Sequence, residues 1–222
     1  MRALKFAAVL AAAAILTACV RYPISSDVGE TAVTTEETIV SFDAISVIGQ
    51  RVSDEMASRG LSVGMTVDEV KAVETLTLAE DSEHNDQLSD DKMLLISKER
   101  IEFGDTNAKV QYTFYNDSFC GITYIIDLVY LADEYEEKGG YAEYCRYKQE
   151  FYELYGEPSK VSEDEPYPAD KMGYYSSMWT AADSTDGASL IAISASQVSQ
   201  SDLKIENSLF CDSVRISFLS LS

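Results

Sequence analysis

The chain has 222 residues, 46% of them hydrophobic, with 17 basic and 38 acidic side chains, for a formal charge of −21. A field of that sign repels phosphate backbones and anionic lipid surfaces, so nucleic acid is excluded as a partner. Four cysteines and a single histidine, His84, match no metal-ligand spacing, and neither a metal nor another cofactor is expected.

The first residues read MRALKFAAVLAAAAILTACV. Arg2 and Lys5 form a short basic region, an apolar run follows from Phe6 to Leu16, and small residues close it, which is the layout of a secretory signal. The run is about a dozen residues, short of the roughly 20 that a membrane-spanning helix needs. Leu16-Thr17-Ala18-Cys19 resembles the lipobox of bacterial lipoproteins, which implies cleavage after a signal peptide of residues 1–18 and lipidation of Cys19. Several acyl chains on one residue anchor a protein stably, since each buried methylene contributes about 0.8 kcal/mol. The expected location is therefore the extracytoplasmic face of a cell membrane or outer membrane, held through the lipid on Cys19. Without residues 1–18 the chain keeps 15 basic and 38 acidic side chains, a charge of −23. Cys120, Cys145 and Cys211 remain; an exported chain can pair two of them and leave the third unpaired.

Residues 19–41 read as the lipidated cysteine and a flexible tether, because Arg21 to Thr38 is rich in Ser, Thr and Glu and has no sustained apolar period. The folded part is expected over 42–222. Within 42–60, Ile45, Ile48, Val52 and Met56 recur at steps of three and four, which predicts a short leading helix ending near Gly60. GMTVDEVKA, Gly64 to Ala72, starts a second helix. Thr66 and Glu69 have the spacing of a capping box and Met65 and Val70 that of a hydrophobic staple, while Val67, Val70, Val73 and Leu76 are expected to form its buried stripe. The acidic stretch Leu78 to Lys92 reads as a surface loop. Counted from Asp81 as a calcium loop it offers Glu83 and Asn85, but it places Asp86 where glycine is needed and Lys92 where a bidentate Glu is needed.

Three strands are expected next: Met93 to Phe103, then Lys109 to Asn116 after a turn at GDTN, then FCGITYIIDLVY after a turn at Asn116-Asp117. A helix from Gly140 to Tyr155 carries Tyr144, Tyr147, Phe151 and Leu154 at helical spacing, and Gly156 and Pro158 stop it. YYSSMWTA, ASLIAISAS and VRISFLSLS supply three more strands. The expected fold is α+β: two tandem units of one helix plus three antiparallel strands, residues 62–130 and 131–222, with the helices packed on the sheet.

GMTVDEVKA, the Tyr112 to Phe114 strand and the tyrosine-rich helix closing in LYGEP, Leu154 to Pro158, resemble the small bacterial lipoproteins of the BamE/SmpA and β-lactamase-inhibitor-protein (BLIP-like) fold group. The first helix runs on into ETLTLAEDSEH where that group has a Leu-Gly-x-Pro stop. Members with assigned roles bind other proteins, so the resemblance implies a non-catalytic protein-binding or inhibitor-like module with a protein partner. An envelope enzyme with a carboxylate site and an extracytoplasmic small-ligand binder using the tyrosines are the alternatives. Catalytic motifs give no support: Ser201-Asp202-Leu203-Lys204 fits S-x-x-K but lacks its companion elements, and His84 lies in a polar loop away from the cysteines. Trp179 is expected to serve packing rather than ligand stacking.

Overall fold

The computed structural model of the chain describes residues 42–81, 85, 88–89, 91–163, 172–182, 187–199, 202–205 and 207–221. The signal peptide, Cys19 and the tether lie outside the described residues, as do Glu83, His84, Asp86 and Ser201.

Helix α1, Phe42–Ser58, opens the fold and places Ile48, Val52 and Met56 in the core. Burying three such side chains contributes about 1.5–3 kcal/mol each, which fixes the helix on the sheet more firmly than propensity would. Helix α2, Val67–Val73, has the expected capping box: Thr66 Oγ1 accepts from the Glu69 N–H at 3.3 Å, and Glu69 Oε2 accepts from the Thr66 N–H at 2.8 Å. Its stripe is smaller than predicted. Val70 is buried and Val67 packs against the core, but Val73 is exposed and Leu76 lies beyond the helix end.

The strands are β1 (Leu78–Glu80), β2 (Lys92–Ser97), β3 (Ile101–Phe103), β4 (Thr106–Tyr115), β5 (Ser118–Leu131), β6 (Lys160–Glu163), β7 (Gly173–Ala182), β8 (Ala188–Gln197) and β9 (Leu209–Leu221). A short helix α3, Tyr135–Lys138, and the long helix α4, Gly140–Tyr155, connect β5 to β6. All strands join one antiparallel sheet in the order β1-β2-β4-β5-β9-β8-β7-β6, with β3 paired to β4.

This sheet overturns the expectation of two tandem three-stranded units. The described residues are dominated by one continuous nine-stranded sheet whose halves meet where β5 pairs β9 along residues 121–131. Three local features hid the extra strands. The β-rich run Met93–Phe103 is broken at Ser97, whose Oγ takes the Val110 N–H at 2.9 Å in place of a backbone carbonyl, so the run becomes β2 and β3. The acidic stretch begins with β1, and the residues after the LYGEP stop form β6. The helices differ too: α1 and α4 pack on the sheet, while α2 contributes one buried side chain.

Side chains alternate across this sheet as the sequence pattern requires. One face, covered by helices, carries Tyr112, Tyr124, Ile216, Ile193 and Trp179. The two-residue turn Asn116-Asp117 links β4 and β5 with φ of 48° and 61°, the left-handed pair that a tight hairpin needs and that Asn and Asp tolerate.

Candidate functional site

On the helix face the polar groups are consumed by structure. Arg59 bonds Glu74 through Nε at 3.0 Å and Nη2 at 2.8 Å, Tyr112 donates to the same carboxylate at 2.5 Å, and Tyr124 donates to Glu55. Burial and the adjacent carboxylates push the Tyr112 and Tyr124 hydroxyls well up, so they stay protonated and act as fixed donors rather than bases. Tyr144 donates to Glu163 at 2.9 Å and lies 2.6 Å from the fully buried Ser177 Oγ, while Lys148 reaches Glu163 at 2.6 Å. Asp212 is the carboxylate that burial raises above its ordinary value among the described residues, but Tyr130, Gly140 and Val198 donate to it and it is 2% exposed. These groups clamp α1, α2 and α4 to the sheet.

The residues singled out by the sequence fall into place accordingly. Tyr144, Tyr147 and Tyr155 of α4 are buried as expected, whereas Leu154 points outward. Trp179 is 1% exposed and donates to the Gly156 carbonyl at 2.8 Å, tying β7 to the end of α4. Of the calcium-loop positions, Asp81 accepts from Gln111 at 2.7 Å and Asn85 makes two bonds to the Leu94 backbone, so both pin the loop to the sheet. No group of three or more potential metal ligands occurs among the described residues.

Cys120, Cys145 and Cys211 are all free thiols, so none of the pairings open to an exported chain is made among them. Burial pushes the Cys120 thiol up to about 11, and burial with Asp127 and Asp212 raises Cys211, so neither is an activated nucleophile.

The opposite face of the sheet is also buried through its middle, where Gln111, Thr113, Thr123, Ile125, Ser194 and Ser217 are all shielded from solvent. Its middle is built from short side chains: Thr123 and Ser217 sit side by side with their hydroxyls 2.9 Å apart, and Ser194 and Ala192 follow on β8. Beside them Leu190, Ala192 and Leu219 form a small apolar cluster with Met178 against it. Gly121 is required there, because a Cβ would collide with Leu219 Cδ2 and approach the Phe218 carbonyl oxygen to 2.9 Å.

Beyond residue 125 of β5 the pairing with β4 ends, while β5 and β9 continue together as a two-stranded ribbon. On the helix side of this ribbon Tyr130 and Phe210 are buried, with ring centroids 6.2 Å apart. On its other side Val129 opposes Cys211 and Leu131 opposes Leu209, and all four are exposed, Val129 by 62% and Leu209 by 71%. Sequence reading missed this patch because Val129 and Leu131 continue an ordinary strand; only their neighbours across β9 reveal it.

Compared with protein-family models, with curated proteins and with solved structures, the chain has no match.

Proposed function

We propose that the chain is a lipid-anchored extracytoplasmic module that binds another protein through the exposed end of its β5–β9 ribbon, without catalysis. The observation that carries this reading is the pair of exposed apolar couples, Val129 with Cys211 and Leu131 with Leu209, at the end of the β5–β9 ribbon. Apolar side chains grouped on a rigid strand pair and rimmed by polar surface are the features of a docking site. The sheet holds them in place before binding, so little side-chain order must be gained on association. Support also comes from the sequence resemblance to lipoproteins whose characterised members bind proteins. Among the described residues the strongly perturbed tyrosines and Asp212 are used internally, which argues against the enzymatic alternative.

The test is photocrosslinking in cells from a photoreactive residue placed at Val129 or at Leu209, with Lys71 and Glu153 on the helix side as controls. A discrete protein adduct is expected from the first two positions and not from the controls. Equal labelling from all four positions, or none from any, overturns the reading. The anchor has its own test. Cys19→Ser is expected to move the protein out of the membrane fraction or to stall its precursor, and normal maturation with unchanged membrane retention counts against lipidation.

A further inference from the structure

The sheet is buried on both faces, and the described helices account for the cover of one. Helices α1 and α4 pack on the side of Tyr112, Tyr124 and Trp179. Two rows of register partners cross the other side. One runs through Thr113, Gly121, Leu219 and Leu190, and the next through Gln111, Thr123, Ser217, Ala192 and Met178. Ser217 and Leu190 are 0% exposed, and Ala192 and Leu219 are 2%. The apolar cluster among them has Met178 packed against it and takes no side chain from a described helix. An antiparallel sheet with one free face keeps that face wet. These side chains are dry within a single copy of the chain, so their cover belongs to the same chain and not to a partner or a second copy.

The start of α1 shows which segment can supply that cover. A Cβ on Gly49 would lie 3.7 Å from Ser189 Oγ on β8, the Arg51 guanidinium stands over the Phe218 ring of β9, and Glu55 accepts from Tyr124 of β5. Followed backward, the helix therefore heads for the β6 rim, and Phe42 lies about 10 Å further that way than Gly49. Residues 20–41 precede it. Extended, they reach about 70 Å. Rounding the rim takes about 10 Å and crossing from β6 to β5 about 20 Å. Connections between neighbouring strands leave and return at strand ends, which keeps them off Ser217 and Ala192 in the middle.

Composition points the same way. Residues 20–41 intersperse Tyr22, Ile24, Val28, Val33 and Ile39 with serines and threonines, the same mixture as the face. The run from Phe6 to Leu16 matches less well, because it has no polar side chain to place against Thr123, Ser194 and Ser217, and buried polar groups without partners are costly.

We propose that residues 20–41 fold back around the β6 rim and lie across this face, as a strap rather than a free tether. The folded part is then held close to Cys19, with little slack between them. Docking at the β5–β9 ribbon is independent of this strap.

The test uses the full chain as cells process it, with a photoreactive diazirine residue at Val28 or Val33. Light is expected to join these positions to residues 188–197 of β8 or 209–221 of β9, in adducts with the mass of one chain. A glutamyl endopeptidase supplies a second reading. Cleavage after Glu30 is expected to be about tenfold slower in the folded chain than in a free peptide of residues 20–41, since the strap must lift before it is cut. Val28→Asp with Val33→Asp is expected to remove that protection, whereas Val129→Asp on the ribbon leaves it unchanged; circular dichroism establishes that each variant keeps the sheet.

Adducts that map to the helices, adducts with a second copy or another protein, no adduct at all, or cleavage after Glu30 as fast as in the free peptide overturns the proposal. Crosslinks from Val129 and Leu209 to a partner, together with an unprotected Glu30, would leave the docking reading standing and remove the strap alone.

Discussion

Asp212→Ala is expected to lower the unfolding free energy by about 3 kcal/mol or more, because three buried donors each lose their acceptor and a buried unsatisfied polar group costs about 1–3 kcal/mol. The carboxylate takes the Tyr130 hydroxyl and the Gly140 N–H at 2.7 Å each and the Val198 N–H at 2.8 Å. It thereby joins β5, the first turn of α4 and the exit of β8. Gly140 is part of the same arrangement: a Cβ there would come within 2.7 Å of the Ser196 carbonyl oxygen and 3.2 Å of the carboxylate itself. Asp212→Asn keeps the volume but turns an NH2 group toward these donors, so a smaller loss is expected.

The pH dependence has a definite sign. Burial raises the Asp212 carboxyl above its ordinary value, and the donors of Gly140, Tyr130 and Val198 only partly offset it. A group raised in the folded state adds stability that is present in full below its unfolded pKa and lost as pH rises through the folded one. Urea unfolding of the wild-type chain against Asp212→Asn from pH 3 upward, in the window where aspartates titrate at about 4, should show that term in the wild type alone. Equal stability of wild type and Asp212→Ala would mean that the three donors find other partners.

The second large effect is expected from Arg59→Met, at about 3–5 kcal/mol, because it leaves the Glu74 carboxylate buried without its cation. The Glu74 side chain is 3% exposed, and Arg59 is its only ion-pair partner among the described residues. Replacing both, as Arg59→Met with Glu74→Gln, should recover most of the loss, since removing a buried pair together avoids the stranded charge. Burial by itself would raise the Glu74 carboxyl, but the Tyr112 hydrogen bond, the Arg59 charge and the Leu76 N–H together hold it below its ordinary value. Stability from Glu74 is therefore present above its unfolded pKa and lost as pH falls through the folded one. In Arg59→Met the balance tips toward burial, so that variant should be most deficient near neutral pH and regain part of the deficit in acid. Chemical unfolding of the single and double variants at two pH values reads both terms, and a parallel pH profile for wild type and Arg59→Met would contradict them.

Much of the local structure is legible in the sequence because it depends on residues a few positions apart. The alternation of Val110, Tyr112 and Phe114 with Gln111 and Thr113 is enough to assign β4 and its helix-covered face, although Gln111 and Thr113 are buried as well. Thr66 and Glu69 define where α2 begins, and Asn116-Asp117 defines the hairpin between β4 and β5. The ends of α4 also match, with its first turn at Gly140 and its stop at Gly156.

What depends on long-range pairing was not legible. Nothing near β5 or β9 says that these strands, about 90 residues apart in the chain, are hydrogen-bonded along Gly121 to Leu131. That one pairing merges the expected units into a single sheet. It also sets Lys109 and Arg215 on either side of Ile125 and brings Leu209 and Cys211 against Leu131 and Val129. Free thiols, likewise, follow from where three cysteines end up rather than from their spacing. Periodicity assigns each side chain to a face, because the backbone repeat is local. Whether that face is buried or left open is set by which distant elements pack on it, and that is decided only when the chain has folded.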